Sequence, residues 1–147
     1  MGSTPTGRIV LKSTFSTFHI HIIIMVNMYM NGEMNMILLL DDIKKVLKKK
    51  AIEYNSEFRF GIAGSYARNE ATNKSDLDVV IDGNSMKQDV AEDIKNAFPL
   101  TVDVLWLDLL KAEDEDLMAF CKANNYPINE DSVYKTVLRE VIWIESK

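Results

Sequence analysis

The sequence has little of what marks a specialised class. A single cysteine, Cys121, excludes an internal disulfide and a cysteine-rich zinc site, and it suits a reducing, cytoplasmic compartment. Glycine and proline are sparse, at six and three, and no internal repeat, low-complexity tract or interdomain linker interrupts the chain. Basic residues are outnumbered, with 17 Lys and Arg against 22 Asp and Glu, for a net charge of −5. That balance excludes stable coating of DNA or RNA, where affinity comes mostly from neutralising phosphates. It leaves a nucleotide substrate open, because bound metal ions reverse the local sign of an acidic site. What is present is ordinary: 147 residues, 47% hydrophobic and 27% charged, enough for one globular domain and too apolar for wholesale disorder.

The N-terminal third departs from this pattern. Residues 13–32 contain no Asp, Glu, Lys or Arg. Their longest strictly apolar run, Ile22–Val26, is far short of the about 20 mostly apolar residues a membrane helix needs. No small-residue cleavage site follows, so a signal peptide is not expected either. Met1-Gly2-Ser3-Thr4-Pro5-Thr6 formally fits a myristoylation pattern, a short and unspecific match. Residues 1–33 are therefore expected to be a leader or an atypical extension, with the domain over 34–147 and no membrane contact. The alternation Phe18-His19-Ile20-His21-Ile22 fits an extra strand, with His19 and His21 on one face as an incomplete metal site or, more simply, a surface pair.

From there the periodicity becomes regular. Ile37, Leu40, Ile43, Leu47 and Ala51 predict a helix over 36–52, with Lys44, Lys45 and Lys48–Lys50 on its solvated side. Strands are expected at Phe58–Ala63, Leu77–Asp82 and Thr101–Leu107. A helix is expected over 86–98, stopped by Pro99, and another over 113–123 with Glu113, Asp114, Glu115 and Asp116 in its first turn. Ser132–Val137 reads as a fourth strand. The order α-β-β-α-β-α-β predicts an α/β (α+β) domain, with a mixed sheet of about four strands flanked by helices.

The chemistry is concentrated between residues 61 and 82. Asp76 and Asp78 are two apart on a strand, so they share a face at about 6.6 Å spacing along it. Leu77, Val79 and Ile81 then face the core. Two carboxylates at about 5 Å repel by roughly 3 kcal/mol at an effective dielectric near 20, so water, a proton or a cation must offset them. Mg²⁺ suits the arrangement, since it takes one or two carboxylates together with substrate phosphates. Asp103 interrupts the apolar run TVDVLWL. If its strand neighbours the second at about 4.8 Å, Asp103 completes a three-carboxylate cluster able to hold two metals for phosphoryl or nucleotidyl transfer. Gly64-Ser65 follow a strand and lead into a short segment that suits a helix start, where backbone N–H groups and a hydroxyl receive phosphate. Arg68, three residues on, is placed for a charge-assisted contact with the same phosphates, Ser75 reads as a turn ahead of the strand, and the P-loop pattern is absent. Taken singly each feature has a plainer reading: a capped turn, a solvated strand face, a surface arginine. Their joint order and spacing favour a site. Tyr66, Trp106 and Tyr134 are candidates to stack on a base, with Trp106 the most suited to the core.

Ala63-Gly64-Ser65, ten residues and then Asp76-Leu77-Asp78-Val79 resemble the motif of the nucleotidyltransferase superfamily that includes DNA polymerase β. The form GSYAR…SDLD is most similar to the minimal nucleotidyltransferases that accompany HEPN-domain toxins, over roughly residues 36–137. The resemblance implies that Gly64, Ser65, Arg68 and Ser75 bind nucleotide, and that Asp76, Asp78 and Asp103 are the catalytic, metal-binding carboxylates. It also implies two Mg²⁺ ions, ATP as substrate, AMP or another NMP transferred to a hydroxyl, and a HEPN toxin as partner and acceptor. A non-catalytic antitoxin and a small antibiotic nucleotidyltransferase are the alternatives. Asn69 stands where the family often has Gly; Asn tolerates the left-handed backbone better than most residues.

Overall fold

The structure, a computed structural model, describes residues 37–128 and 130–145. The 1–33 extension, with its expected His19/His21 strand, lies outside the described residues. Within them the order is α1 (Leu40–Glu53), β1 (Arg59–Ala63), α2 (Gly64–Ala67), β2 (Leu77–Asp82), α3 (Gln88–Asn96), β3 (Val102–Trp106), α4 (Leu107–Ala123), α5 (Val133–Glu140) and β4 (Ile142–Trp143). The four strands form one mixed sheet in the order β3-β2-β1-β4. β1 runs antiparallel to both β2 and β4, while β2 and β3 are parallel and joined through α3. This is the α+β fold expected from the sequence.

β2 anchors the sheet. Leu77, Val79, Val80 and Ile81 are all fully buried, as a central strand covered on both faces requires. On one face Leu77, Val79 and Ile81 pack with Phe60, Ile62 and Trp106 of the neighbouring strands, under Ile43 and Leu47 of α1 and Val90 and Ile94 of α3. On the other, Val80 and Ala63 meet Val137 of α5, with Leu105, Leu110 and Trp143 partly buried around them. Full burial of each such side chain is worth about 1.5–3 kcal/mol, so the first face carries most of the stability. Asp93 of α3 ties the two covering helices together, accepting from Lys50 Nζ at 3.0 Å and from the Tyr54 hydroxyl at 2.8 Å. Lys50 is thus not on a solvated face with the other lysines; its side chain is only 17% exposed.

Two further expectations need correction. The helix assigned to 113–123 begins at Leu107, so the run Glu113–Asp116 lies in its middle and cannot serve the helix dipole. The first-turn acid is Asp108, which accepts the Leu109 N–H at 2.8 Å and the Ser85 N–H at 3.1 Å. These bonds hold its carboxyl below the usual range although burial pushes the other way. The segment 132–137 is not a strand but the start of α5, whose first turn is capped by Ser132 Oγ accepting the Lys135 N–H at 3.3 Å. The fourth strand is Ile142–Trp143, just beyond it. No helix among the described residues is long and apolar enough to cross a membrane.

Candidate active site

The sheet register brings two of the three expected carboxylates, Asp78 and Asp103, together. Asp78 is paired with Ala63 across the antiparallel ladder and with Asp103 across the parallel one, so Ala63, Asp78 and Asp103 form one row on one face. Asp103 is exposed and Asp78 half-buried at the end of the sheet from which α2 departs. Asp76, exposed, precedes β2 by one residue. Burial pushes the Asp78 carboxyl above its ordinary range, and the negative charges of Asp103, Asp76 and Glu140 push it further, against a smaller opposing pull from Arg68. The carboxylates therefore feel one another even without a cation between them.

Gly64 explains the glycine of the motif. Its φ is +66°, and a Cβ there would collide with the Asp78 carboxylate, whose Cγ lies 3.1 Å from that position and whose Oδ2 lies closer still. A side chain at 64 would thus displace the central acid of the site. After the single turn of α2, Asn69 adopts φ +58°, so asparagine supplies the left-handed geometry at the position where glycine is common in the family. The Glu70 N–H then closes the turn on the Ser65 carbonyl at 2.8 Å.

The two donors expected to face phosphate already share a carboxylate that the sequence did not single out. Glu140 Oε1 accepts the Gly64 N–H at 2.9 Å, and Glu140 Oε2 accepts from Arg68 Nη1 at 2.9 Å. Arg68 Nε also pairs with Glu70 at 3.1 Å. A carboxylate on a backbone N–H and a guanidinium uses the donor set that binds a phosphate oxygen. Glu140 was missed because 132–137 read as a strand and left the tail unassigned. The helical spacing of Val133, Val137 and Val141 behind Ser132 was the signal that could have found it.

The remaining expected residues divide. Ser65 lies in the single turn of α2, half-buried and next to Gly64. The Ser75 hydroxyl accepts the Thr72 N–H at 2.8 Å and so stabilises the loop ahead of β2. Tyr66 is buried, with its hydroxyl accepting the Leu38 N–H at 3.4 Å, and Trp106 is buried in the core, so neither offers a face to a base. Tyr134 is half-buried.

Asp78, Gly64 and Glu140 open onto a pocket of about 260 Å³, roofed by Val133, Thr136 and Val137 of α5. Among the described residues no three His, Cys, Asp or Glu side chains form a ready-made metal cage. That does not disqualify Mg²⁺, which is usually held by one or two carboxylates plus substrate phosphates and water. A hard-oxygen donor set on adjoining strands, with Asp78 already strained by its acidic neighbours, fits such an ion.

The family model described as "Nucleotidyltransferase domain" matches residues 40–144, which takes in every described element. No curated protein and no solved structure matches the chain. Motif, register and match agree, and the chain belongs to the nucleotidyltransferase domain family.

Proposed function

We propose that this nucleotidyltransferase domain moves AMP from ATP to a hydroxyl group of a protein acceptor, with Mg²⁺ held by Asp76, Asp78 and Asp103. The observation that carries the reading is the pairing of Asp78 with Asp103 across parallel strands, beside a glycine whose missing Cβ makes room for the Asp78 carboxylate. Bound Mg²⁺ would neutralise charge on the attacking and leaving oxygens. The Gly64 N–H and Ser65 receive the polyphosphate, and Arg68 adds a charge-assisted contact. Asp103 aids the acceptor hydroxyl. The hydroxyl oxygen bonds to the α-phosphorus, its proton leaves to solvent or a carboxylate, and the bond to pyrophosphate breaks.

The form GSYAR…SDLD supports a HEPN-domain toxin as the acceptor, which makes this chain its antitoxin. The contact of Glu140 with Gly64 and Arg68 favours one second reading, an antitoxin that neutralises by contact with its phosphate donors held shut. Incubation with ATP labelled at the α-phosphate, Mg²⁺ and the product of the neighbouring gene separates the two. Label appearing on that protein, and lost with Asp78→Asn, supports transfer. A tight complex that never acquires label contradicts it.

A further inference from the structure

A second pocket, about 220 Å³, lies between α4 and the start of α5. It shares Asp131 and Val133 with the pocket at Asp78, so the two adjoin. Its walls are mainly apolar, from Leu110, Leu117, Val133 and Tyr134, and its polar groups include Glu113 and Asp114, with no Lys or Arg in the lining. Asp114 is only 8% exposed, and its Oδ1 is buried with no hydrogen-bond partner, the one such side-chain atom among the described residues. Acids in this run do not serve the dipole of α4, because the helix begins at Leu107. A buried carboxylate is normally paired on both oxygens, so an acid that lines a pocket wall and keeps one oxygen without a partner points to a donor that arrives from outside.

We propose that this pocket receives the lysine or arginine side chain of a partner polypeptide, anchored on Asp114. An apolar pocket with acids among its lining residues matches the aliphatic stem and cationic head of those residues. The volume is below that of sites for whole drug-sized ligands and suits one long side chain. The surround suits a polypeptide, because Leu117 and Val133 of its lining expose 45% and 62% of their surface. A chain seated there adjoins, through Asp131 and Val133, the pocket that Asp78 lines. That this polypeptide is the acceptor rests on the transfer reading; the pocket's preference for a cation does not.

The test is an NMR titration of the full chain with N-acetylarginine amide, neutral norleucine amide and the peptide acetyl-Leu-Arg-Leu-amide, alongside a Mg·ATP titration of the same samples. The arginine probe is expected to shift the resonances of Leu110, Leu117 and Val133 while norleucine amide does not. Asp114→Asn should weaken the arginine probe at least fivefold with no loss in Tm, and the peptide should bind at least tenfold tighter than the bare amide. Equal binding of the neutral probe, an unchanged affinity in Asp114→Asn, a lower Tm in that variant, or a peptide no tighter than the amide overturns the proposal. ATP binding that fails while the arginine probe still binds sinks only the transfer reading.

Discussion

The two faces of β2 do opposite work with the same six residues. Leu77, Val79 and Ile81 are fully buried and hold α1 and α3 to the sheet, whereas Asp78, on the alternate face, sits beside three other acids. One face contributes stability. The other holds a smaller core at Val80 and, at Asp78, withholds stability, because like charges are kept close where a cation-bearing substrate would offset them. Period-two alternation lets a single strand serve both purposes without either side chain set disturbing the other.

This contrast can be broken from either side. Asp78→Asn is expected to cut nucleotidyl transfer by ~10³-fold, the scale of several kcal/mol of lost charge stabilisation. The same variant should raise Tm at neutral pH. The sign follows from linkage: the native carboxyl titrates above its ordinary 3.8, so ionising it opposes folding at pH 7. The gain should shrink as pH falls through that raised native value and vanish below the ordinary one, which thermal melts across pH would show. Leu77→Ala, one residue away on the other face, should cost about 2–5 kcal/mol in denaturant titrations. Equal losses of stability from both variants would break the comparison.

Smaller effects sharpen it. Glu140→Ala should free the Gly64 N–H and Arg68 Nη1 and tighten ATP binding by roughly tenfold, the scale of one charged hydrogen bond. Unchanged or weaker binding by calorimetry would instead make Glu140 a positioning residue for Arg68. The least effect belongs to the stabilising face: burial, and then the bond to Asp93, push the Tyr54 hydroxyl up to about 12. An acid raised in the native state adds stability below its unfolded pKa of 10.0, lost as pH climbs through about 12. Tyr54→Phe should flatten that alkaline decline.

Local pattern was enough for what depends on local pattern. The strand Leu77–Asp82 has the bounds its alternation implies, and the Gly64, Asp76 and Asp78 spacing pointed to the candidate site. That Asp103 joins them depended on which strands pair, a long-range fact that only the apolar setting of that aspartate hinted at. Helix α5 was misread because Val133, Tyr134 and Val137 satisfy a short strand as well as a helix, and Ser132 as its cap was the discriminating residue. Glu140 then stayed hidden, since its role exists only once α5 folds back over Gly64. The acidic run 113–116 was assigned to a helix start because the expected strand ended at Leu107 and residues 108–112 had no assignment, whereas the helix already begins at Leu107.

The central claim is that the Asp78–Asp103 row beside Gly64 binds a metal–nucleotide complex. Calorimetric titration of ATP into the protein, with Mg²⁺ and then with EDTA, in wild type and Asp103→Asn, tests it most directly. The account predicts binding that requires Mg²⁺ and weakens at least tenfold in the variant. ATP bound equally well in EDTA, or equally well by Asp103→Asn, would contradict it.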